Sequence, residues 1–296
     1  MTEAIALQAG AARCTVLPAL GGSLGGWWIA GQPLLRPADP AALQSAEPTG
    51  LSAFPLVPYS NRIEHGRFAW NGRAHSLALN RAGEPHALHG IGWQRPWQVT
   101  SSAARMVELA LDHQGDADWP WPFAARQQIT LSEDCLDLRF SVRNDADEAV
   151  PLSFGYHPYF VRDAARVRLA AGRVWLADAA NLPERAVATS GDFDLSGFAP
   201  VAGREIDNCY ERVRWPAEIG WRDRPLRVLI EPSGDLGCAV VYSNAAAGAL
   251  CIEPVAHLSN ALNMAGAESP VPVVAPLASS QSALRLRATA NPGRAD

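Results

Sequence analysis

The sequence has 296 residues, of which 48% are hydrophobic and 19% are charged, and its formal net charge is −5. This composition is typical of a folded globular protein with a large core, and an acidic chain without a long run of arginine is a poor partner for nucleic acid or for anionic membranes. All 25 basic residues are arginine, so chemistry that needs a lysine, such as a Schiff base or a Walker-type phosphate site, is excluded.

The five cysteines lie far apart in the chain and form no C-x-x-C motif. This spacing predicts neither a disulfide framework nor a structural zinc site, and it favours a reducing compartment. The first ten residues include Glu3 and no basic residue, so we do not interpret them as a signal peptide. The uncharged stretch 14–35 is rich in glycine and contains two prolines, which predicts turns and not a membrane span. We expect a cytoplasmic protein that is a monomer or a weak dimer.

Alternating hydrophobic residues predict many short strands along the chain. The first is a hairpin over 68–77, in which Asn71 and Gly72 supply the two positive φ angles of a type I′ turn. Helical periodicity is scarce, and 23 prolines are scattered at positions where they would break helices. The further predicted strands lie, in chain order, around 107–111, 136–142, 226–230, 237–242, 249–252 and 284–286.

These strands predict an all-β fold, either a sandwich or a barrel, with few short helices. No change in composition marks a linker, so we interpret residues 1–296 as a single domain. The segment 177–203 is polar and poorly patterned, and it is predicted to be a long loop on the β scaffold.

Two motifs suggest chemistry that their surroundings do not support. Residues 21–25 (GGSLG) match the G-x-S-x-G motif of hydrolases, but a strand follows them where a nucleophile elbow needs a helix. His86 and His89 are three residues apart on a loop, and two ligands are too few for a metal site. We therefore expect no metal. We interpret His86 as an exposed or hydrogen-bonded loop residue and His89 as a polar group in an aromatic-lined site.

Three residues are better candidates for catalysis or for ligand binding. His157 lies between aromatic residues in GYHPYF, and its alternative role is that of a buried core histidine. Glu253 ends an apolar run, where a carboxylate is costly unless it is paired, and its alternative is a surface glutamate. Arg62 is suited to binding an oxygen-rich ligand, and the alternative interpretation is that it is an ordinary surface arginine. Asp207 is ambiguous on its own.

In their order along the chain, these residues resemble the signature of the aldose 1-epimerases (galactose mutarotases). The resemblance covers nearly the whole chain, and its most specific part is the segment 157–160. It implies a large antiparallel β-sandwich, of the galactose mutarotase-like supersandwich type, and an enzyme that interconverts the anomers of a free monosaccharide without a cofactor. The matching motifs are Asn61-Arg62-Ile63, His89-Gly90, His157-Pro158-Tyr159-Phe160, Asp207-Asn208-Cys209-Tyr210 and Glu253-Pro254.

The resemblance also implies a role for each matched residue. His157 would be the acid that protonates the ring oxygen, and Glu253 would be the base that deprotonates the anomeric hydroxyl. Activity should then fall below the pKa of Glu253 and above the pKa of His157. The residues that would bind the sugar are Asn61, Arg62, His89 and Asp207.

Two other functions remain open. A glycoside hydrolase or lyase on a similar sandwich would use Asp207 and Glu253 as its two carboxylates, and a sugar-binding or regulatory protein would keep only the fold. No cluster of arginine is dedicated to a phosphate in the sequence, so a phosphorylated sugar is the weaker candidate substrate. The tryptophans that we expect to line a sugar site are Trp93, Trp119 and Trp121.

Overall fold

The computed structural model describes residues 4–264 and 270–291, which form 26 strands, one short α-helix and four 3₁₀ turns. The helical elements are α1 (Pro40–Ser45) and the 3₁₀ turns Pro48–Gly50, Glu64–Gly66, Gly191–Phe193 and Ala261–Asn263. The strands are, in chain order, β1 (Ile5–Ala9), β2 (Ala12–Leu17), β3 (Ser23–Ile29), β4 (Gln32–Pro33), β5 (Ala53–Leu56), β6 (Arg62–Ile63), β7 (Arg67–Trp70), β8 (Arg73–Ser76), β9 (Ala87–Leu88), β10 (Gln98–Ala103), β11 (Met106–His113), β12 (Phe123–Leu131), β13 (Cys135–Asn144), β14 (Val150–Pro151), β15 (Gly155–Pro158), β16 (Ala165–Ala170), β17 (Arg173–Ala177), β18 (Pro183–Ala188), β19 (Ala199–Pro200), β20 (Ile206–Glu211), β21 (Arg214–Trp221), β22 (Leu226–Gly234), β23 (Cys238–Asn244), β24 (Ala249–Val255), β25 (Val273–Val274) and β26 (Ser279–Ala290).

Two large antiparallel sheets form the body of the protein. The first has 11 strands in the order β1-β2-β3-β5-β15-β24-β23-β20-β17-β18, with β4 beside β3. The second has nine strands in the order β10-β11-β12-β13-β26-β22-β21-β16-β19. Both sheets contribute side chains to one large cluster of buried hydrophobic residues, so the predicted all-β sandwich with few helices is confirmed. Three two-stranded sheets lie outside them, namely β6-β9, β7-β8 and β14-β25.

Strand β13 shows why the alternating pattern produces a strand. Its even-numbered residues from Leu136 to Val142 are buried, and the odd-numbered residues between them face outward. On the outer face Asp137 lies opposite Arg285 of β26, and the guanidinium donates to the carboxylate over 2.7 Å. Burial of one face stabilises the packing of the two sheets, while the charged ladder keeps the other face in water.

The hairpin predicted at Asn71 and Gly72 is confirmed, because these residues join β7 to β8 with φ angles of +48° and +75°. The long loop predicted over 177–203 is partly wrong, since the segment contains β18, β19 and a 3₁₀ turn. Strand β18 is an edge strand that pairs only with β17 and has no buried face. Because neither face of β18 is buried, its sequence shows no alternation of hydrophobic and polar residues.

The G-x-S-x-G segment forms the turn into β3, and its serine, Ser23, is fully buried on that strand. All five cysteines are buried, and none of them is in a disulfide bond. Within residues 4–264 and 270–291, no helix is both long and apolar enough to cross a membrane.

Candidate active site

One cavity of about 760 Å³ brings the predicted site residues together. It lies on the outer side of the 11-stranded sheet, where β15, β20 and β24 meet the loops around 61 and 89. Strands and loops far apart in sequence therefore supply one site. All six residues that the sequence predicts for the site line this cavity, namely Asn61, Arg62, His89, His157, Asp207 and Glu253.

The pairing of β15 with β24 explains why His157 and Glu253 are neighbours. These strands are antiparallel, with Gly155 opposite Val255, so residue 157 comes opposite residue 253. Both side chains lie on the same face of the sheet, and His157 Nε2 is 3.3 Å from Glu253 Oε1. The carboxylate is 2% exposed and the imidazole 6% exposed, which makes them a buried acid–base pair.

Burial controls the protonation of this pair. It raises the pKa of Glu253 well above its usual range, and the negative charge of Asp207 raises that pKa further while Arg62 opposes the rise. Burial also lowers the pKa of His157, as does the positive charge of Arg36. Burial therefore disfavours both charged forms. Because the two groups are only 3.3 Å apart, the protonation of one affects the protonation of the other.

His89 is held by two reciprocal hydrogen bonds to Asn61. The Asn61 N–H donates to His89 Nδ1 over 3.1 Å, and the His89 N–H donates to the Asn61 carbonyl over 2.9 Å. Because Nδ1 accepts, the neutral imidazole carries its proton on Nε2. Burial lowers the pKa of His89 well below its usual value, as do the positive charges of His157 and Arg62. His89 is therefore a neutral hydrogen-bond donor at the wall of the cavity.

The backbone at His89 depends on the glycine that follows it. Gly90 has a φ of +69°, and a Cβ there would lie 2.3 Å from the Val57 carbonyl oxygen. We expect Gly90→Ala to lower the free energy of unfolding by about 2–4 kcal/mol, because backbone strain and a clash add together. The matched control is Gly203→Ala, where φ is +76° but no atom lies within 4 Å, with an expected loss of about 1 kcal/mol. Urea unfolding measures both, and equal losses would contradict a role for the Val57 contact.

Arg62 is a cation that lies between two carboxylates on the wall of the cavity. Its Nε lies 3.4 Å from Glu84 Oε2, and its Nη2 lies 3.8 Å from Asp207 Oδ2. Asn61 Oδ1 accepts hydrogen bonds from the backbone N–H and from Nη1 of Arg62. Burial raises the pKa of Asp207, although the positive charge of Arg62 opposes that rise. This wall can donate to and accept from the hydroxyl groups of a polar ligand.

The segment after Glu253 holds this wall from behind. Ser259 Oγ donates to Asn61 Oδ1 over 2.9 Å, and His257 Nε2 accepts from the Ser60 N–H over 3.2 Å. Both contacts join residues almost 200 positions apart in the chain. No short motif in the sequence signals such contacts, and sequence reasoning missed them.

Other predictions for the site differ in outcome. His86 is a buried, hydrogen-bonded loop residue, because its Nδ1 accepts from the His65 N–H and its Nε2 lies 3.1 Å from the Ala180 carbonyl. The expectation that Trp119 and Trp121 line the site is wrong, since they pack against Phe68 in the core.

Trp93 is likewise buried and lies behind the cavity wall, against Phe54 and His89. The aromatic lining is instead Tyr159 and Tyr242. Among the described residues, no three side chains of His, Cys, Asp or Glu are grouped as metal ligands.

Comparison with known proteins gives consistent matches over the whole fold. A sequence model of the aldose 1-epimerase family matches residues 3–286. The uncharacterized protein YphB of Escherichia coli (strain K12) is 28% identical over 253 residues, which are 80% of this chain and 82% of that protein.

Two crystal structures are similar over nearly the full length. An E. coli K12 protein provisionally assigned as an aldose 1-epimerase has a TM-score of 0.90 and 26% identity, covering 98% of this chain and 100% of the other. A galactose mutarotase-like protein from Clostridium acetobutylicum has a TM-score of 0.87 and 22% identity, covering 98% and 96%. At that identity, the second likeness concerns the fold alone.

Proposed function

The chain belongs to the aldose 1-epimerase family, and on this premise we propose that it interconverts the α and β anomers of a free aldose. The observation that carries the proposal is the direct contact between His157 and Glu253 in the cavity. Anomer exchange needs a proton to reach the ring oxygen while another leaves the anomeric hydroxyl. A paired acid and base supply both transfers without a cofactor.

The proton balance of the proposed reaction fits a buried pair. In the reactive form the single proton of the pair lies on His157 and Glu253 is ionised, and burial makes this distribution less favourable than the one with neutral His157 and protonated Glu253. Ring opening moves a proton from the anomeric hydroxyl to Glu253 and another from His157 to the ring oxygen, and the aldehyde forms as the C1–O5 bond breaks. After rotation about C1–C2, the same transfers in reverse close the ring on the other face. The pair holds one proton before and after each step, so its net charge stays at zero, which suits a site of low polarity.

The remaining lining residues would position the sugar. Neutral His89 would donate from Nε2 to the ring region, and Arg62 would donate to neighbouring oxygens, while Asp207 would accept from a sugar hydroxyl. Each positioned acid or base typically contributes ~10²–10⁴ in rate, so the pair would lower the barrier by roughly 5–11 kcal/mol. The buried thiols support a reducing compartment, and we propose a cytoplasmic location on that ground.

The geometry gives less support to the alternatives. A hydrolase needs two carboxylates on either side of the scissile bond, whereas Glu253 contacts His157 and Asp207 faces Arg62. A protein that only binds sugars has no need of a buried acid–base pair, whose desolvation lowers stability.

Polarimetry tests the proposal directly. With freshly dissolved α-D-galactose, α-D-glucose or β-L-arabinose, we expect the protein to speed the decay of rotation toward an unchanged final value, because an epimerase alters only the rate. Boiled protein is the control. A different final rotation would point to another reaction, and no acceleration with any sugar would contradict the proposal for these substrates.

A further inference from the structure

Arg36 is a rigidly held cation on the cavity wall. Its Nη2 donates to the backbone carbonyls of Thr49 and Leu51 over 2.6 and 3.1 Å. Its guanidinium carbon lies 4.1 Å above the centre of the Tyr159 ring. The Arg36 N–H donates to the Tyr159 carbonyl, and Ser52 Oγ donates to the Arg36 carbonyl. Backbone and side chain are therefore both fixed.

Arg36 has no carboxylate partner within 4 Å among residues 4–264 and 270–291, although it is half-buried. A partly buried cation without a counterion is costly. The carboxylates of Asp39 and Glu47 also line the cavity, but they accept hydrogen bonds from the local backbone. Asp39 accepts from the Ala41 N–H and Glu47 accepts from the Thr49 N–H.

Arg81 is a second arginine that lines the cavity. It is exposed on the loop before β9, and within the described part of the chain it forms no ion pair. Its charge and that of Arg36 both reach His157, since each helps to lower the pKa of that imidazole. The third arginine of the lining, Arg62, differs from both because Glu84 and Asp207 face it.

The side of the reaction centre that Arg36 occupies follows from ring stacking. The Tyr159 ring stacks on His157, with centroids 4.7 Å apart and planes at 18°, and Arg36 covers Tyr159. If His157 protonates the ring oxygen, Arg36 lies on the ring-oxygen side of the sugar. The ring oxygen is bonded to C1 and C5, and the C1 end faces Glu253. The other neighbour of the ring oxygen is C5, and this inferred orientation places C5 and its substituent toward Arg36.

From this geometry we propose that Arg36 and Arg81 form a subsite for an anionic group on C6 of the aldose, a carboxylate or a phosphate. Planar guanidinium groups bind both anions through paired hydrogen bonds. The inference rests on the proposed epimerase function and names its substrate class. It also changes the expectation that the sequence offers no arginine cluster for a phosphate, because Arg36 and Arg81 line one cavity only in the folded chain.

An anionic substituent would also assist the acid. Arg36 and Arg81 both disfavour protonated His157, and a bound carboxylate or phosphate would offset their charge. The other charged or titratable groups that face His157 are His89, Tyr159 and Glu253.

Matched sugar pairs test the subsite. We would measure kcat/KM and the dissociation constant for D-galactose against D-galacturonate, and for D-glucose against D-glucose 6-phosphate. We expect the charged member of at least one pair to be preferred by about tenfold to a hundredfold, as for a charge-assisted contact. The pair with the larger preference identifies the anion as a carboxylate or a phosphate.

Arginine variants then show which residues are responsible for the preference for charged sugars. We expect Arg36→Gln to abolish most of it and Arg81→Gln to reduce it by several-fold, because the exposed guanidinium is screened by solvent. Arg81→Gln covers the case in which Arg36→Gln fails to fold. Arg105→Gln, an exposed arginine outside the cavity lining, should keep the full preference.

The outcomes separate the two proposals. Equal turnover of charged and neutral sugars would overturn the subsite and leave the epimerase function standing. Tighter binding of the charged sugars without any turnover would support the subsite and count against the epimerase function. A preference that survives in both arginine variants would overturn the assignment to these residues.

Discussion

Glu253→Gln is expected to lower kcat by about 10²–10⁴, while the dissociation constant of the sugar changes by only a few-fold. The amide keeps the shape of the side chain and its contact with His157, but it has no oxygen that can take a proton from the anomeric hydroxyl. The variant should fold, because the raised pKa of Glu253 shows that the cavity favours an uncharged group at this position.

Initial rates of optical rotation give kcat, and calorimetry gives the dissociation constant. The control is Glu133→Gln, which changes an exposed carboxylate on the turn before β13 and should leave both constants unchanged. A Glu253→Gln variant with turnover within twofold of the parent would show that another group is the base. A large change in binding with little change in kcat would assign Glu253 to substrate binding.

The part of the fold that could be predicted is the part that has local signals. Strand β13 alternates because one face is buried, and the turn at Asn71 and Gly72 needs positive φ angles that few residues tolerate. Strand β18 could not be predicted, because an edge strand without a fully buried residue has no clear alternation to detect.

The same distinction applies to the site. The matched motifs identify the six residues that the cavity collects, but no local pattern shows that residue 157 pairs with residue 253, since that depends on the register of β15 and β24. Arg36 lies in a loop and Arg81 looks like an ordinary surface arginine. Only the pairing of distant elements in the fold brings them to the cavity that contains His157. The prediction that Trp119 and Trp121 line the site was wrong because the amino-acid composition does not distinguish aromatic residues of the core from those that line a cavity.

His157→Asn is expected to lower kcat by about 10²–10⁴, since the amide cannot protonate the ring oxygen. This prediction also separates the proposed reaction from glycoside hydrolysis, in which two carboxylates would suffice and His157 would have no required role. The control is His65→Asn, an exposed histidine with a φ of +50° that asparagine adopts readily. Retention of most activity in His157→Asn would contradict the epimerase mechanism.

The pH profile of the same variant tests the shared proton. In the parent protein the working pair holds one proton, so activity should fall at low pH when a second proton binds and at high pH when the shared proton leaves. The acidic and alkaline limbs of the pH profile then report the protonation of the pair as a whole. The sequence alone instead assigns the acidic limb to Glu253 and the alkaline limb to His157. These limbs also depend on the charged or titratable groups around the pair, which are Arg36, Arg62, Arg81, His89, Tyr159 and Asp207.

Without His157, only Glu253 of the pair titrates. Residual activity needs the ionised carboxylate, so it should be absent at low pH and rise as pH passes the pKa of Glu253. Because burial raises that pKa, the rise should come above the usual carboxylate range and be followed by a plateau. The alkaline limb of the parent should disappear, because no shared proton remains to be lost. A variant whose activity still falls at high pH, under conditions where its fold is intact by circular dichroism, would show that the proton for the ring oxygen comes from another group.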